Sequence, residues 1–316
     1  MGCVQASEAR RERIIVTGLP RSGTSWVAKA FSALPGFTYY REPDNYDHVA
    51  GAEPRFEFLY LKAGDDDPEY AAHMRRALDG QIATPFTLSE DPGPLLGRLP
   101  RKWRVAGRRV PALYMRNRDV LAKFVFANLT MDWLDAEYPD ASFIHTVRHP
   151  CGIFASWQRN GWDPQPRKLL DQQRLVDDCL APFASTIESA DSFWERAGAL
   201  WGAYYTVIGP QLRSHPRWVG VRHEWLCSDP VVNFAATFRR AGHDMPGATY
   251  AFLADSNRGG DEGAYSLTRS AASEIDKWKQ AVAAEDAKTC RRVVDEFGLD
   301  LYPDFEPDTS PPEWLG

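Results

Sequence analysis

The sequence lacks an uninterrupted apolar run of about 18 residues, the length a membrane-spanning helix needs, and its N-terminus has no apolar signal core. A cytoplasmic chain with no membrane partner is therefore expected. Cysteine is scarce. Cys3, Cys151, Cys179, Cys227 and Cys290 are odd in number and scattered, which excludes a disulfide framework and points to reduced thiols. Histidines in metal-binding spacing are lacking too. His145 and His149 stand four apart, but on a strand they would be roughly 13 Å from each other, too far to share one ion. In His223-Glu224-Trp225-Leu226-Cys227 a cysteine stands where a zinc-binding helix would need its second histidine. No metal is expected. An excess of positive charge is also missing: 37 Lys and Arg against 43 Asp and Glu give a net charge of −6. That excludes general affinity for nucleic acid, so any anion site has to be local.

With 316 residues and 44% hydrophobic content, the chain can bury a full core as one α/β domain. Residues 1–12 are expected to be a disordered leader; Met1-Gly2-Cys3-Val4-Gln5-Ala6-Ser7 resembles an acylation start, but its serine falls one place late. The domain is expected over 13–303, with 304–316 an irregular tail. Its organising stretch is Ile14-Ile15-Val16-Thr17-Gly18-Leu19-Pro20-Arg21-Ser22-Gly23-Thr24-Ser25-Trp26. A β-branched run leads into a Gly/Pro/Ser/Thr loop and then into Val27–Leu34, apolar at helical spacing. In a strand-loop-helix unit the helix's first N–H groups lack intrahelical partners and form a cradle for phosphate. Ser22, Thr24 and Ser25 add hydroxyls, and Arg21 a fixed positive charge. The Gly18-to-Gly23 spacing matches a G-x-x-x-x-G-K-[ST] loop, but Thr24 occupies the lysine position. The loop is suited to a phosphate and poorly suited to a triphosphate with magnesium.

Phe37–Tyr40 is expected as a second strand, which brings Glu42 to the carboxyl ends that line the crevice of an open parallel sheet. Glu42 is a candidate base there, or a carboxylate that pairs with Arg41. Residues 44–118 are the least regular, and the arginines and lysine from Arg98 to Arg118 read first as a solvated surface hairpin or helix, and otherwise as recognition of an anionic substrate or a lid over the donor. Asp119–Phe126 reads as a strand in which Lys123 sits among apolar residues, where a lysine needs a purpose. A helix is expected over Leu129–Tyr138. The run Ala141-Ser142-Phe143-Ile144-His145-Thr146-Val147-Arg148-His149-Pro150 is a buried strand that delivers Arg148 to its end, and Pro150 opens a helix carrying Ser156. Arg148 and Ser156 thus flank a second helix start, where a dipole favours an anion. Gly161–Leu212 is mostly helical and rich in aromatics, either a small-molecule pocket or helix packing; for Trp201 and Tyr205 packing is the better reading. Further elements are a strand at Trp218–Arg222 and helices near Phe234–Phe238, Ile275–Trp278 and Val293–Phe297.

Pro20-Arg21-Ser22-Gly23-Thr24-Ser25-Trp26 resembles the 5′-phosphosulfate loop of sulfotransferases that use 3′-phosphoadenosine 5′-phosphosulfate (PAPS). Arg148 and Ser156, in the frame Val147-Arg148-His149-Pro150, resemble that family's 3′-phosphate motif. The run Val221–Pro230 is similar to its Y-E-x-L-x-x-D-P segment, with His223 for the tyrosine, and Arg269–Trp278 to a late Arg-to-Trp element. The resemblance implies a single-domain, P-loop nucleotide-kinase-like sulfotransferase fold with a central parallel sheet flanked by helices. It further implies that Arg21 contacts the phosphosulfate, that Ser22, Gly23, Thr24 and Ser25 bind the phosphate, and that Trp26 stacks on adenine. Arg148, Ser156 and a late arginine, Arg269 or Arg258, would bind the 3′-phosphate, with His223 touching the adenine. Lys123 resembles the lysine of a K-T-H segment, but Val125 stands where the histidine base would be. In the branch that sulfates protein tyrosines a glutamate just after the second strand serves, and Glu42 occupies that place. PAPS is thus the expected co-substrate and a small-molecule hydroxyl or amine, such as that of a secondary metabolite or sugar, the acceptor; segments 44–118 and 158–215 would form the acceptor site and lid. The rivals are an ATP-dependent kinase with a degenerate loop and a non-catalytic nucleotide-binding module.

Overall fold

Ile14, Ile15 and Val16 are all fully buried, as expected of a strand covered on both faces. They form the middle of β1 (Arg13–Thr17) in the computed structural model, which describes residues 11–88, 118–256 and 271–312. With β2 (Phe37–Arg41), β3 (Asp119–Lys123), β4 (Ser142–Val147) and β5 (Val219–Arg222), β1 builds a five-stranded sheet. Its order is β2-β3-β1-β4-β5, and every pairing is parallel. The chain leaves β1 toward one edge and β4 toward the other. The carboxyl ends of these neighbours therefore flank the crevice where such sheets bind ligands.

Alternation along the strands divides the core in two. Ile14 and Val16 face α1 (Thr24–Phe31), together with Phe234 and Phe238 from a later helix. Phe31 and Phe238 stack with centroids 3.8 Å apart and planes 2° from parallel. On the opposite face Ile15 joins Phe143, Phe154 and Trp201 in the larger cluster.

Residues 44–88 are more ordered than their composition suggests. The helix α2 (Pro68–Leu78) lies within them, its N-cap Asp67 accepting from the Tyr70 N–H at 2.9 Å and Pro68 at its first position. Asp-Pro before an apolar-periodic stretch is a helix start, and the acidic run Asp65-Asp66-Asp67 obscured it. The predicted strand 119–126 ends at Lys123, because Asp44 takes the next backbone donors: its carboxylate accepts from the N–H of Val125 at 3.1 Å and of Phe126 at 2.7 Å. Next come α3 (Met131–Glu137), α4 (Pro150–Arg159) and the long α5 (Phe193–Ser214), which starts with a Ser192/Glu195 capping box. α6 (His223–Ser228) follows β5 directly, and α7 (Pro230–Arg240) follows it. The last helices are α8 (Ala271–Asp276), α9 (Trp278–Ala281) and α10 (Ala284–Asp295).

The tail is irregular in backbone, yet as far as Asp308 it packs against the domain. The Phe305 carbonyl lies 3.1 Å from His149 Nε2, Asp308 pairs with Arg222 at 2.5 Å, and Tyr302 donates to Glu224 at 2.7 Å. The expected boundary at 303 has no counterpart in the packing. The leader up to residue 10, the basic stretch up to residue 117 and the loop 257–270 lie outside the described residues. No described helix is long and apolar enough to cross a membrane.

Candidate active site

The loop after β1 is shaped by glycine and by strain. A Cβ on Gly18 would fall 2.2 Å from Thr146 Oγ1 and 2.7 Å from the Thr146 carbonyl, so only glycine lets the loop pass this close to β4. Gly23, with φ +102°, would place a Cβ 2.5 Å from His223 Nδ1. Arg21 is in the left-handed region at φ 77° despite its side chain. Glu42, across the crevice, is there too, at φ 43°. Strain at non-glycine residues of this kind costs of order 1–3 kcal/mol each and gathers at functional sites.

Between these two residues opens a cavity of about 510 Å³, within the range of small-ligand sites. One wall comes from the loop and α1, through Arg21, Gly23, Thr24, Ser25 and Trp26; Glu42 and Lys123 form another; Arg148 and His223 close the far end. Tyr46, Phe126, Trp157 and Trp162 line it as well. The first N–H groups of α1 have no partner inside the helix. Ser22, by contrast, turns away. It is buried, and its hydroxyl lies 2.6 Å from Thr146 Oγ1, which leaves only its backbone near the loop.

Arg21, Arg148 and Ser156 come from three places in the chain and meet. Arg21 Nε donates to Ser156 Oγ at 2.8 Å, and Arg148 Nη1 donates to the Arg21 carbonyl at 3.2 Å. The Arg21 side chain is thereby held against Ser156, beside Arg148. The loop is pinned from outside: Trp157 Nε1 donates to the Pro20 carbonyl at 2.8 Å, and Trp201 Nε1 to the Arg148 carbonyl at 3.1 Å. Trp26 is only 8% exposed and packs edge-on against Phe234, with centroids 4.8 Å apart. It is a wall of the cavity with little open face for stacking. Its Nε1 and the Nδ1 of buried His223 have no hydrogen-bond partner among the described residues. Burial, reinforced by the Arg148 charge, holds His223 well below its ordinary pKa, so it is neutral. Arg269 and Arg258 lie outside the described residues.

On the other side, Lys123 is 1% exposed and its Nζ lies 2.5 Å from Glu42 Oε1. Arg41 Nε is 3.6 Å from the same oxygen, and Asn45 Nδ2 donates to Oε2 at 2.9 Å. Both readings of Glu42 thus coexist, since it faces the cavity and also pairs with Arg41. Burial pushes the Glu42 carboxyl up, but the Lys123 and Arg41 charges and the hydrogen bonds from Lys123 and Asn45 outweigh it and hold the group at about 2. On Lys123 burial acts in the opposite sense: with the Arg41 charge adding to it, it lowers the ammonium pKa against the pull of Glu42 and Asp44. Asn45 was not singled out from the sequence; its signal is its place three residues after Glu42 in the same turn.

Asp44 was missed as well. Besides the Val125 and Phe126 donors it takes, the Glu42 N–H bonds to the Lys123 carbonyl at 2.7 Å, so two cross-links join the ends of β2 and β3. Burial, with the Glu42 charge adding to it, pushes the Asp44 carboxyl from 3.8 up to about 7 despite those backbone donors. A carboxyl raised in the folded state binds its proton more tightly there than in the unfolded chain. Its contribution to stability is therefore lost as pH rises from about 4 to about 7. Asp44→Asn is expected to flatten the melting temperature over that window relative to wild type, measured by thermal melts between pH 4 and 8. An unchanged slope would refute the protonated carboxyl.

His145 and His149 diverge: His145 Nδ1 meets Thr17 Oγ1 at 2.9 Å, while His149 stacks on Trp278 with centroids 4.6 Å apart. Among the described residues no group of three His, Cys, Asp or Glu side chains is placed to hold a metal.

A parallel sheet with a strained loop at its switch point, facing a buried carboxylate–lysine pair, is an α/β fold with a polar crevice at its carboxyl edge. The sequence description of the Sulfotransferase family matches residues 13–231, from β1 into α7. The chain belongs to the sulfotransferase family, whose reaction is sulfuryl transfer. No curated protein matches it. Among solved structures it is similar to a mouse sulfotransferase complexed with PAP, at 12% identity, 90% of this chain, 84% of that one and a TM-score of 0.43. A Mycobacterium tuberculosis sulfotransferase aligns at 15% identity over 92% of this chain and 78% of its own, with a TM-score of 0.44. A sulfotransferase domain from the curacin biosynthetic pathway aligns at 14% identity over 93% and 100%, with a TM-score of 0.47.

Proposed function

We propose that the protein transfers the sulfuryl group of PAPS to a hydroxyl or amine of a small-molecule acceptor, without a metal. The observation that carries this reading is the meeting of Arg21, Arg148 and Ser156 at one end of a cavity whose other wall is Glu42 and Lys123. A nucleotide with two phosphates fits such a site. One phosphate takes the N–H groups at the start of α1 and the other the arginines. When bound, PAPS supplies a sulfuryl group on a phosphate leaving group; the remaining work is positioning and electrostatics.

The acceptor oxygen bonds to sulfur, the bridging oxygen leaves on adenosine 3′,5′-bisphosphate, and the acceptor's proton goes to Glu42. A carboxyl held at about 2 is a weak base while Lys123 stands on it. Lys123 Nζ is also 3.4 Å from Ser25 Oγ, on the phosphate loop. As charge grows on the leaving oxygen, Lys123 is drawn from Glu42 toward the loop. That shift removes the charge that depresses Glu42 and raises its basicity as the proton comes loose.

Thermal melts separate this reading from its rivals. Adenosine 3′,5′-bisphosphate without metal is expected to raise the melting temperature, by several degrees at saturating concentration, and ATP with magnesium to leave it unmoved. A shift with ATP and magnesium alone would identify a kinase. A bisphosphate shift with no labelled sulfate transferred from PAPS to any compound in a broad alcohol and amine library would identify a binding module.

A further inference from the structure

The Arg148 end of the cavity already holds an anion from the chain itself. Glu274 on α8 places Oε2 3.4 Å from Arg148 Nη2 and Oε1 2.9 Å from Lys277 Nζ. Its carboxylate bridges two cations from different elements, in the manner of a phosphate. The side chains of Arg148 and Glu274 are each 12% exposed, so solvent and salt screen the pair only in part. Beside it lies a second, small cavity of about 30 Å³, lined by Arg21, Arg148, Ser156, Arg159 and Lys277. Four of these five are cations, and Glu274 is the one acid on its wall among the described residues. The carboxylate stands on the same wall as these cations, so a phosphate brought to them meets it.

We propose that Glu274 is a built-in competitor for donor binding: its carboxylate occupies the place of the nucleotide's 3′-phosphate and has to be displaced from Arg148 and Lys277 when that phosphate binds. This inference rests on the donor reading above. A 3′-phosphate replaces the carboxylate on Arg148 and Lys277, and the Glu274 side chain turns outward. A nucleotide without that phosphate leaves the bridge intact and gains nothing from the two cations. The carboxylate therefore sets how tightly a 3′-phosphate is held, because each such ligand has to break an existing ion pair or lie beside a like charge.

The test is calorimetric binding of adenosine 3′,5′-bisphosphate and of adenosine 5′-monophosphate to the full chain, as wild type, Glu274→Gln and Glu274→Ala. Removing the competing charge is expected to tighten the bisphosphate by about tenfold and to change the monophosphate less than about twofold, since only the former meets the carboxylate. Two variants guard against one that fails to fold. If neither binds the bisphosphate more tightly than wild type, or if both nucleotides change alike, the inference is overturned while the donor reading stands. If wild type binds no bisphosphate, the donor reading falls and takes this inference with it.

Discussion

Glu42→Gln is expected to lower turnover by about 10²- to 10³-fold and to leave the affinity for adenosine 3′,5′-bisphosphate unchanged, the signature of a lost proton acceptor. Glutamine keeps the size of the side chain and can accept from Asn45, but it cannot hold a proton and removes the counter-charge of Lys123. The nucleotide arm matters because Glu42 stands across the cavity from Arg148. The sign of the pH dependence follows from the geometry. A base must be unprotonated, and a carboxyl held at about 2 is unprotonated throughout pH 5–8, so this group contributes no acid limb to the rate in that range. Single-turnover kinetics with labelled donor, paired with nucleotide titration, check both statements. Full turnover in the variant would remove Glu42 from the mechanism, and a loss of nucleotide affinity would make it a binding residue.

Arg148→Ala is expected to abolish the bisphosphate-induced thermal shift and to weaken binding by about 2–4 kcal/mol, roughly 30- to 1,000-fold in Kd. Arg148 joins three parts of the site, holding the Arg21 carbonyl, facing Glu274 and giving its own carbonyl to Trp201. The last bond uses the backbone and survives the substitution, so the strand end stays in place while the guanidinium is lost. Arg148→Lys retains the charge without the fork of donors, and is expected to recover only part of the affinity. Isothermal titration of the three proteins orders them. Wild-type affinity in the alanine variant would mean that the nucleotide does not use this end of the cavity.

Both predictions concern residues visible in the sequence, for a local reason. Ile14–Val16, the glycines at 18 and 23 and the Pro150 helix start are short-range signals, and each strand-loop-helix unit presents Arg21 or Arg148 at the carboxyl edge of the sheet whatever the rest of the chain does. Glu42 and Lys123 were visible in the same way, as polar residues at the ends of apolar strands. That Glu42 pairs with Lys123 as well as with Arg41 was not, because the distance between β2 and β3 depends on strand order. Asp44 and Asn45 looked like loop residues. Only the neighbouring strand end supplies the Val125 and Phe126 N–H groups that make Asp44 a staple. The orientation of Ser22 is of this kind too: its hydroxyl reads as a phosphate donor until β4 brings Thr146 against it.

By itself, then, the amino-acid sequence determined a parallel α/β sheet, two anion-favouring helix starts and the cations and carboxylate that serve them, since periodicity, turn chemistry and helix-end electrostatics act within a few residues. Tertiary structure alone decided how those groups are paired. It drew Arg21 onto Ser156, built Trp26 into the wall, set Lys123 on Glu42 and packed residues 302–308 against His149, Glu224 and Arg222. It also placed Glu274, 126 positions after Arg148, on the cation that a nucleotide's phosphate would claim. Contacts at such separations depend on strand order and helix packing, and residue spacing along the chain carries no record of them.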